Sequence, residues 1–418
     1  MTVSPLHAVD RLVVPLFIAH GTDDTRLTGH GATLGTCNEQ EVAVKLETIA
    51  VRVGRQIESA TGEVAPAIHM STTYERDVDG EFSRGYSYVR PDNPGRKALE
   101  QCIAALEGGE DATAFGSGSA ASLAVFSLMR PGEHIVAPIE VYHGTGKQLR
   151  DIIAPTGVRC SFVDMTSVDA VRAALGPDTR LVWIETPSNP MLNISDIETL
   201  AELGHGHGAL VCVDNTFATP IWQKPLELGA DLVMHSSTKY FGGHSDVMGG
   251  AVVTRDHGGL SDKLRDYQGT AGNVPAPFDC WLIRRSLTTL ACRVRAQTHT
   301  AERLAHFLVR HARVERVFYP GLESHRAHDI ARRQMKGGFG AMLSFCVRGG
   351  RDEAFAVANR LQLFTRATSL GGVETLIEHR ASIEGPHSVT PQNLLRVSVG
   401  LENADDLIAD LDQALAPS

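Results

Sequence analysis

The sequence predicts an α/β fold with a mostly parallel sheet, followed by a smaller α+β domain. Apolar runs of strand length recur along the middle of the chain, namely HIVAPI, LVWIET, ALVCVDN, DLVMHS and GAVVT. Helical patterns such as SVDAVRAAL and IETLAELGH lie between them, and this alternation is typical of a parallel sheet covered on both faces. After about residue 290 the pattern changes to a long helix, RVRAQTHTAERLAHFLVRH, and then to mixed strands and helices. This change indicates the second domain.

The same patterns divide the chain into four regions. Residues 1–46 have weak periodicity and are predicted to be an N-terminal extension. Residues 47–91 include a stretch rich in Tyr, Arg, Gly and Pro, which predicts an extended arm with turns. The large domain is predicted to span 92–290, and the helix ALEQCIAALEGG lies near its beginning. The C-terminal domain is predicted to span 291–418.

Composition and charge indicate an ordinary globular protein. The 418 residues are 43% hydrophobic and 21% charged, and the formal net charge is -10 without long acidic blocks. This charge disfavours nucleic acid and anionic membranes as partners. No apolar run approaches the roughly 20 residues that span a bilayer. Seven scattered cysteines without a CxxC motif are typical of reduced core thiols, so we expect a cytoplasmic protein.

Three polar features at predicted strand ends or helix starts lie where parallel sheets bind ligands. The Gly and Ser residues of AFGSGSAASLAVFSL (114–128) precede an apolar helix, whose free N–H groups can hold a phosphate. Taken alone, the stretch is better explained by a turn with an N-cap serine, because short glycine motifs occur often. ETPSNP (185–190) predicts a turn after a strand. Asp214 in VDNTF ends a strongly apolar strand, where a carboxylate needs a cation or donors unless it caps the next helix.

The fourth feature is Lys239, in LVMHSSTKYFGGHSDVMGG (232–250), at the end of another apolar strand. Burial there would lower its pKa from about 10.4 and expose a nucleophilic amine of the kind that forms Schiff bases, although a lone lysine is by default a surface residue. Pyridoxal phosphate requires a lysine for its aldehyde, an acid for its ring nitrogen and donors for its phosphate. The sequence offers Lys239, Asp214, the hydroxyls around Lys239, and a helix N-terminus able to bind an anion. Tyr142, in VYHGT, either covers the cofactor ring or packs in the core.

Five motifs in order resemble the cystathionine γ-synthase and γ-lyase family: ETPSNP, VDNTF, HSSTKYFGGHSDVMGG, SLGGVETLIEH and LLRVSVGLE. These are pyridoxal-phosphate enzymes of fold type I that act on sulfur amino acids. The resemblance runs from about Leu46 to the C-terminus. It implies a mostly parallel seven-stranded sheet in a large cofactor-binding domain, a smaller C-terminal α+β domain, and pyridoxal 5′-phosphate as cofactor. It also implies a homotetramer, a dimer of dimers whose active sites are shared between subunits.

The resemblance assigns roles around the cofactor ring. It implies that Lys239 forms the Schiff base with the cofactor and moves protons between substrate carbons. Asp214 is implied to pair with the pyridinium nitrogen, Tyr142 to stack on the ring, and Asn189 to lie near the ring hydroxyl. Tyr142 or Tyr88 is a candidate acid for departure of the substrate's γ substituent.

Further roles concern the phosphate and the substrate. The phosphate ligands within the chain are implied to be Gly118, Ser119, Ser236 and Thr238. In the arm, Tyr88 and Arg90 are implied to reach the neighbouring subunit's site and grip its phosphate, a task for which a guanidinium suits better than lysine. Arg396 is implied to bind the substrate carboxylate with help from Ser369.

Three departures from the family pattern concern the substrate. Thr368 stands where cystathionine enzymes typically carry a glutamate that holds the distal amino group, and Lys147 stands near a usual arginine. EHRASIEGPHSVTPQNLLR replaces the usual HPASMTH segment. Within it, Glu378, Arg380 and Glu384 either line the entrance or belong to a solvated loop, and the solvated loop is the favoured interpretation.

These departures favour γ-elimination on a homoserine-derived or sulfur-containing amino acid, for example cystathionine, a methionine-like compound or canavanine. The expected products are ammonia and a 2-oxo acid, or a homoserine-type product. A γ-replacing synthase, an O-acylhomoserine sulfhydrylase and a β-lyase remain alternatives. A catalytically inactive partner subunit is disfavoured by the intact Lys239, Asp214 and Arg396, and a nicotinamide-dependent oxidoreductase by the missing dinucleotide fingerprint. The histidines of GHGHG (204–208) lack further ligands nearby, so no metal site is expected.

Overall fold

The computed structural model describes residues 44–385 and 388–416. Almost all of the predicted extension 1–46, and Pro386 and His387 in the segment that replaces HPASMTH, lie outside the described residues. No helix in the described ranges is both long enough and apolar enough to cross a membrane. Six of the seven cysteines lie in these ranges; all six are free thiols, and four of them are buried.

A seven-stranded sheet forms the larger layer of the protein. Its strands are β1 (Asp111–Phe115), β2 (His134–Pro138), β3 (Arg159–Val163), β4 (Thr179–Glu185), β5 (Leu210–Asp214), β6 (Leu232–His235) and β7 (Gly250–Thr254). The spatial order is β1-β7-β6-β5-β4-β2-β3. The strands from β6 through β5, β4 and β2 to β3 are parallel, and only β7 runs antiparallel to its neighbours. The mostly parallel seven-stranded sheet expected from the sequence is therefore confirmed.

A second sheet of five strands belongs to the C-terminal part of the chain. Its strands are β8 (Val314–Phe318), β9 (Met342–Val347), β10 (Thr365–Arg366), β11 (Leu376–Glu378) and β12 (Leu394–Ser398), in the order β10-β11-β12-β9-β8. The strands β11 and β12 are antiparallel, and their register places Glu378 directly opposite Arg396. This pairing brings two charged side chains together, although they lie 18 residues apart in the sequence.

Helices cover both sheets. Those before the long central helix are α1 (Leu46–Arg52), α2 (Pro94–Glu107), α3 (Gly118–Phe126), α4 (His143–Gln148), α5 (Val168–Ala174), α6 (Ile197–Gly206), α7 (Thr219–Trp222), α8 (Leu260–Ala271) and α9 (Pro277–Leu287). The remainder are α10 (Leu290–Arg310), α11 (His328–Gln334), α12 (Arg351–Arg360) and α13 (Ala404–Leu415). The long helix predicted after residue 290 is α10.

The central strands place polar groups at one edge of the larger sheet. Strands β4, β5 and β6 are almost entirely buried because helices pack on both faces. In the parallel register Glu185 lies beside Asp214, and Asp214 lies beside Met234, one residue before the end of β6. The carboxyl ends of three neighbouring strands therefore meet, and each leads into a polar loop.

Candidate active site

Lys239 lies in the loop that follows β6, and its amine is held by the C-terminal part of the chain. Its Nζ donates a hydrogen bond of 2.9 Å to Ser369 Oγ. Burial lowers the pKa of Lys239 to about 8, and the positive charges of Arg396 and Arg380 act in the same direction. About a tenth of the amine is therefore unprotonated at pH 7, far more than for an ordinary lysine, and this is the form that attacks a carbonyl or removes a proton.

Two carboxylates occupy the neighbouring strand ends. Burial raises the pKa of Asp214, while Thr216 stabilises its charge through its backbone N–H, at 3.0 Å, and its side chain. The pKa of Glu185 is raised well above its usual value, first by burial and then by the charge of Asp214. In the described part of the chain Asp214 forms no ion pair. A buried carboxylate in this situation attracts a cationic group.

The N-terminus of α3 faces the loop after β6. Gly118 lies so close to this loop that a Cβ at its position would stand 2.8 Å from both Cβ and Oγ of Ser236. The N–H groups of Gly118 and Ser119 belong to the first turn of α3, where no earlier carbonyl can accept them. These donors and the Ser236 hydroxyl form a cradle suited to a phosphate. The Thr238 hydroxyl also accepts the N–H of Gly249, at 3.0 Å.

Glu185 fixes two further residues of the site through their backbones. Its Oε2 accepts the N–H of Tyr142 at 2.8 Å, and its carboxylate also accepts the N–H of Asn189. The ring of Tyr142 is half exposed, and Gly144 permits its position, since a Cβ there would stand 2.6 Å from the ring. The sequence interpretation missed Glu185, although it was visible as a carboxylate ending an apolar run in LVWIET, as Asp214 does in ALVCVDN.

Arg396 lies on the strand β12, within electrostatic reach of Lys239, and is only 3% exposed. Its Nη1 donates to Asn189 Oδ1 at 3.1 Å, and its Nη2 donates to Ser369 O and to Glu378 Oε2, both at 2.8 Å. Its Nε is buried and has no hydrogen-bond partner within the described residues. Burial lowers the pKa of Arg396 to about 10, which leaves the guanidinium charged at neutral pH. The guanidinium therefore keeps one donor without a partner in the described part of the chain.

Other residues predicted to act lie farther out. Thr368 and Ser369 line an open cavity of about 530 Å³ together with Thr238. Lys147 is 67% exposed and forms an ion pair with Asp151 at 3.7 Å. In the arm, Tyr88 is 45% exposed, and Arg90 donates to Gly269 O at 2.6 Å. Among the described residues, no hydrogen bond joins Lys147 or the two arm residues to the groups around Lys239.

The segment that replaces HPASMTH is the point at which the sequence interpretation was wrong. A solvated loop was favoured for Glu378, Arg380 and Glu384, yet their side chains are only 11%, 5% and 10% exposed. Glu378 and Glu384 each accept a hydrogen bond of 3.0 Å from Arg380. Because each charge has an oppositely charged partner, this charged segment folds inward rather than into solvent.

Comparison with known proteins agrees with this geometry. A model of the family described as Cys/Met metabolism PLP-dependent enzymes matches residues 47–416. The chain belongs to this family. It is 46% identical over 376 residues to a cystathionine gamma-synthase of Mycobacterium leprae, covering 88% of this chain and 96% of that protein. It is 42% identical over 381 residues to a cystathionine gamma-lyase of Dictyostelium discoideum, covering 89% and 97%.

A solved structure gives the same fold. The apo form of a methionine gamma lyase from Micromonospora echinospora matches with a TM-score of 0.84 at 44% identity, covering 89% of this chain and 99% of that one. The protein is accordingly a pyridoxal 5′-phosphate enzyme of fold type I that acts on small amino acids. The residues present fit the cofactor. A desolvated amine suits its aldehyde, the space beside Gly118 suits its phosphate, and the unpaired Asp214 suits a protonated ring nitrogen.

The close contact between the N-terminus of α3 and Ser236 predicts how a methyl group added at Gly118 would affect cofactor binding. Gly118→Ala should weaken pyridoxal-phosphate binding by roughly tenfold or more, because the new Cβ displaces Ser236 from the N-terminus of the helix. Titration of the apoenzyme with cofactor, followed by absorbance, measures the change. Gly176→Ala is the matched control, since no heavy atom lies within 4 Å of its Cβ position. Equal affinities for the Gly118→Ala variant and the unchanged protein would show that this contact does not shape the cofactor site.

The environment of Lys239 predicts a pH profile. In the apoenzyme, reductive methylation of Lys239 should rise with increasing pH through a midpoint near 8, because the neutral amine reacts and burial favours that form. Mass spectrometry of the peptide containing Lys239 measures the labelled fraction. Arg396→Gln should move the midpoint upward by removing a nearby positive charge, whereas Arg303→Gln, on the surface beside Asp405, should not. A midpoint near the free-lysine value of about 10.4 would contradict this account.

Proposed function

We propose that the enzyme catalyses γ-elimination on a homoserine-derived or sulfur-containing amino acid. The products are ammonia and a 2-oxo acid or, where water replaces the γ substituent, a homoserine-type product. The observation behind this preference is the neutral Thr368 in the wall of the cavity beside Ser369. At the position of Thr368 a distal amino group in the substrate would meet a hydroxyl, and the carboxylates that line the same cavity are instead those of Asp246 and Glu374. This favours γ substituents other than the amino-acid portion of cystathionine, including oxygen- or nitrogen-linked groups such as that of canavanine.

A γ-replacement reaction is the second candidate. It is supported by the 46% identity to a cystathionine gamma-synthase, a value slightly above the identities to the two lyases. The two reactions share every step up to loss of the γ substituent and differ only in the steps after that loss. A β-lyase reaction needs only the first proton transfer and is the third candidate.

Residues of the chain supply the proton transfers and the binding of the substrate. Bound pyridoxal phosphate withdraws electrons from the substrate Cα and so acidifies its hydrogen. In our proposal the Lys239 amine removes the Cα proton, while Ser369 Oγ aims the amine through its hydrogen bond. Arg396 binds the substrate carboxylate through its unpartnered Nε, and the half-exposed Tyr142 is the candidate acid for the leaving group.

We also propose how the remaining predicted residues act on the cofactor. Asp214 pairs with the ring nitrogen and Asn189 lies near the ring hydroxyl, a position supported by its hydrogen bond with Arg396. The phosphate ligands in this proposal are Gly118, Ser119, Ser236 and Thr238. Lys147 is retained as a substrate-binding candidate at the rim.

The assembly belongs to the same proposal. We infer a homotetramer in which Tyr88 and Arg90 of the arm, 47–91, act in the neighbouring subunit's site, and we infer a cytoplasmic enzyme. The exposure of Tyr88 and Arg90 in the single chain supports such an exchange. The large domain at 92–290 and the C-terminal domain at 291–418 remain the proposed boundaries.

The deciding experiment is a product analysis on the holoenzyme. Incubation with L-cystathionine, O-acylhomoserines, L-methionine or L-canavanine should yield one of two outcomes without any added thiol. Either ammonia and a 2-oxo acid are released, or water takes the place of the γ substituent and gives a homoserine-type product that keeps its amino group. Lys239→Ala should abolish both the turnover and the visible absorption that borohydride removes from the unchanged enzyme. Pyruvate as the only 2-oxo acid would overturn γ-elimination in favour of a β-lyase. Turnover that requires cysteine or another thiol would instead establish γ-replacement.

A further inference from the structure

Four charged side chains form a continuous buried series beside the candidate active site. We call them the charge series: Arg396, Glu378, Arg380 and Glu384. Their signs alternate, and each neighbour in the series is joined by a hydrogen bond between 2.8 and 3.0 Å. Their side chains are 3%, 11%, 5% and 10% exposed. At this depth water screens the charges weakly, so each one depends on its immediate partners.

The central carboxylate is shared between two guanidinium groups. Glu378 Oε2 accepts from Arg396 Nη2 at 2.8 Å and from Arg380 Nη1 at 3.0 Å. The antiparallel register of β11 and β12 holds Glu378 beside Arg396, so the backbone itself keeps these two charges together. Arg380 opens the short 3₁₀ turn Arg380–Ser382, two residues after the end of β11, and donates to the same oxygen.

This arrangement bears on the substrate carboxylate. Without Arg380, Glu378 would have Arg396 as its single ion-pair partner in the described part of the chain. A buried carboxylate with one guanidinium partner binds it strongly, since no water competes. Glu378 would then neutralise the group that the incoming carboxylate requires.

The far end of the charge series holds Arg380 in position. Arg380 Nε donates to Glu384 Oε1 at 3.0 Å. Glu384 Oε2 in turn accepts the hydroxyls of Ser388, at 2.7 Å, and Thr390, at 2.6 Å. Three donors thus fix Glu384, and Glu384 fixes the guanidinium that meets Glu378.

We propose that Arg380 is a positioning residue for substrate binding, because it shares the charge of Glu378 and so leaves the Arg396 guanidinium available to the substrate carboxylate. The inference rests on the proposed role of Arg396 as the carboxylate-binding group. It requires no particular reaction, since every amino-acid substrate carries the same carboxylate. The Arg380 charge also contributes to the lowered pKa of Lys239, after burial and the charge of Arg396, which is consistent with its closeness to the reactive centre.

Binding of an unreactive amino acid tests the proposal without relying on turnover. L-Norleucine has no leaving group on its β or γ carbon, and the change in visible absorption of the holoenzyme gives its dissociation constant. Arg380→Gln should weaken norleucine binding by roughly tenfold or more, because Glu378 then pairs with Arg396 alone. Adding Glu378→Gln should restore the affinity to within about threefold of the unchanged enzyme. Arg303→Gln, which removes an exposed arginine from another ion pair, should have no effect.

The outcomes separate a positioning role from a merely structural one. If the double variant binds norleucine as weakly as Arg380→Gln alone, Arg380 does not act through Glu378 and the proposal is overturned. Should Arg380→Gln fail to fold, Glu384→Gln tests the charge series from its other end. Arg380 then loses the carboxylate that holds it against Glu378, so norleucine binding should weaken, and adding Glu378→Gln should restore it. Binding that stays weak in this double variant, or binding that Glu384→Gln leaves unchanged, would overturn the proposal.

One further variant separates this inference from the function on which it rests. Arg396→Gln should weaken norleucine binding at least as much as Arg380→Gln does. Unchanged binding in Arg396→Gln would overturn the carboxylate-binding role of Arg396 and the inference with it. A loss in Arg396→Gln combined with full affinity in Arg380→Gln would overturn the inference alone and leave the proposed function standing.

Discussion

The hydrogen bond from Lys239 Nζ to Ser369 Oγ joins the two sheets of the protein at the reactive amine, and the geometry of the site depends on it. Lys239 follows β6 of the larger sheet, whereas Ser369 precedes β11 of the smaller one. Ser369 has a φ of +85°, a conformation that residues other than glycine adopt rarely and at a cost. The surrounding contacts hold it there, since Arg396 donates to its carbonyl and Gly371 N–H donates to Ser398 Oγ, both at 2.8 Å.

The charges around this amine are arranged in two groups of opposite sign. Arg396 and Arg380 lie on the side of the smaller sheet, and Asp214 and Glu185 lie at the strand ends of the larger one. Burial and the cationic side both disfavour a third positive charge on Lys239, which is why its pKa falls. On the anionic side, burial and the mutual repulsion of two carboxylates raise the pKa of Glu185. Glu185 therefore holds a proton more readily than an exposed glutamate does.

The sequence predicts the parts of the site that depend on short stretches of chain. The ends of β4, β5 and β6 are visible as apolar runs that stop at Glu185, Asp214 and the loop carrying Lys239, and parallel strands must bring such ends together. The strands β1 and β3 were missed. DATAF in β1 is built mainly of small residues, and RCSFV in β3 is only partly buried, so neither gives the strong apolar signal of a central strand.

Distant pairings explain what the sequence did not predict. Nothing in EHRASIEGP shows that Glu378 lies opposite Arg396, because that fact belongs to the register of β11 against β12. Charged residues in a loop were therefore assigned to solvent on the ordinary expectation that charges are exposed. The closeness of Gly118 to Ser236 is hidden in the same way, since it depends on how α3 meets the loop after β6, more than 110 positions along the chain.

The charge series is better explained by selectivity than by stability. Two arginines and two glutamates lose most of their hydration on burial, and apolar residues of similar volume are often at least as stable in such places. If apolar residues replaced Arg380 and Glu384, however, Arg396 would be the one remaining cationic partner of Glu378 in the described residues. The strand register keeps Glu378 and Arg396 paired whatever surrounds them. Arg380 gives Glu378 a second cationic partner, and Glu384 balances the positive charge that Arg380 adds. The four charges sum to zero while the Nε of Arg396 keeps a donor without a partner in the described residues. A buried site that binds an anion needs both features: surrounding charges that cancel one another, and a hydrogen-bond donor that has no partner.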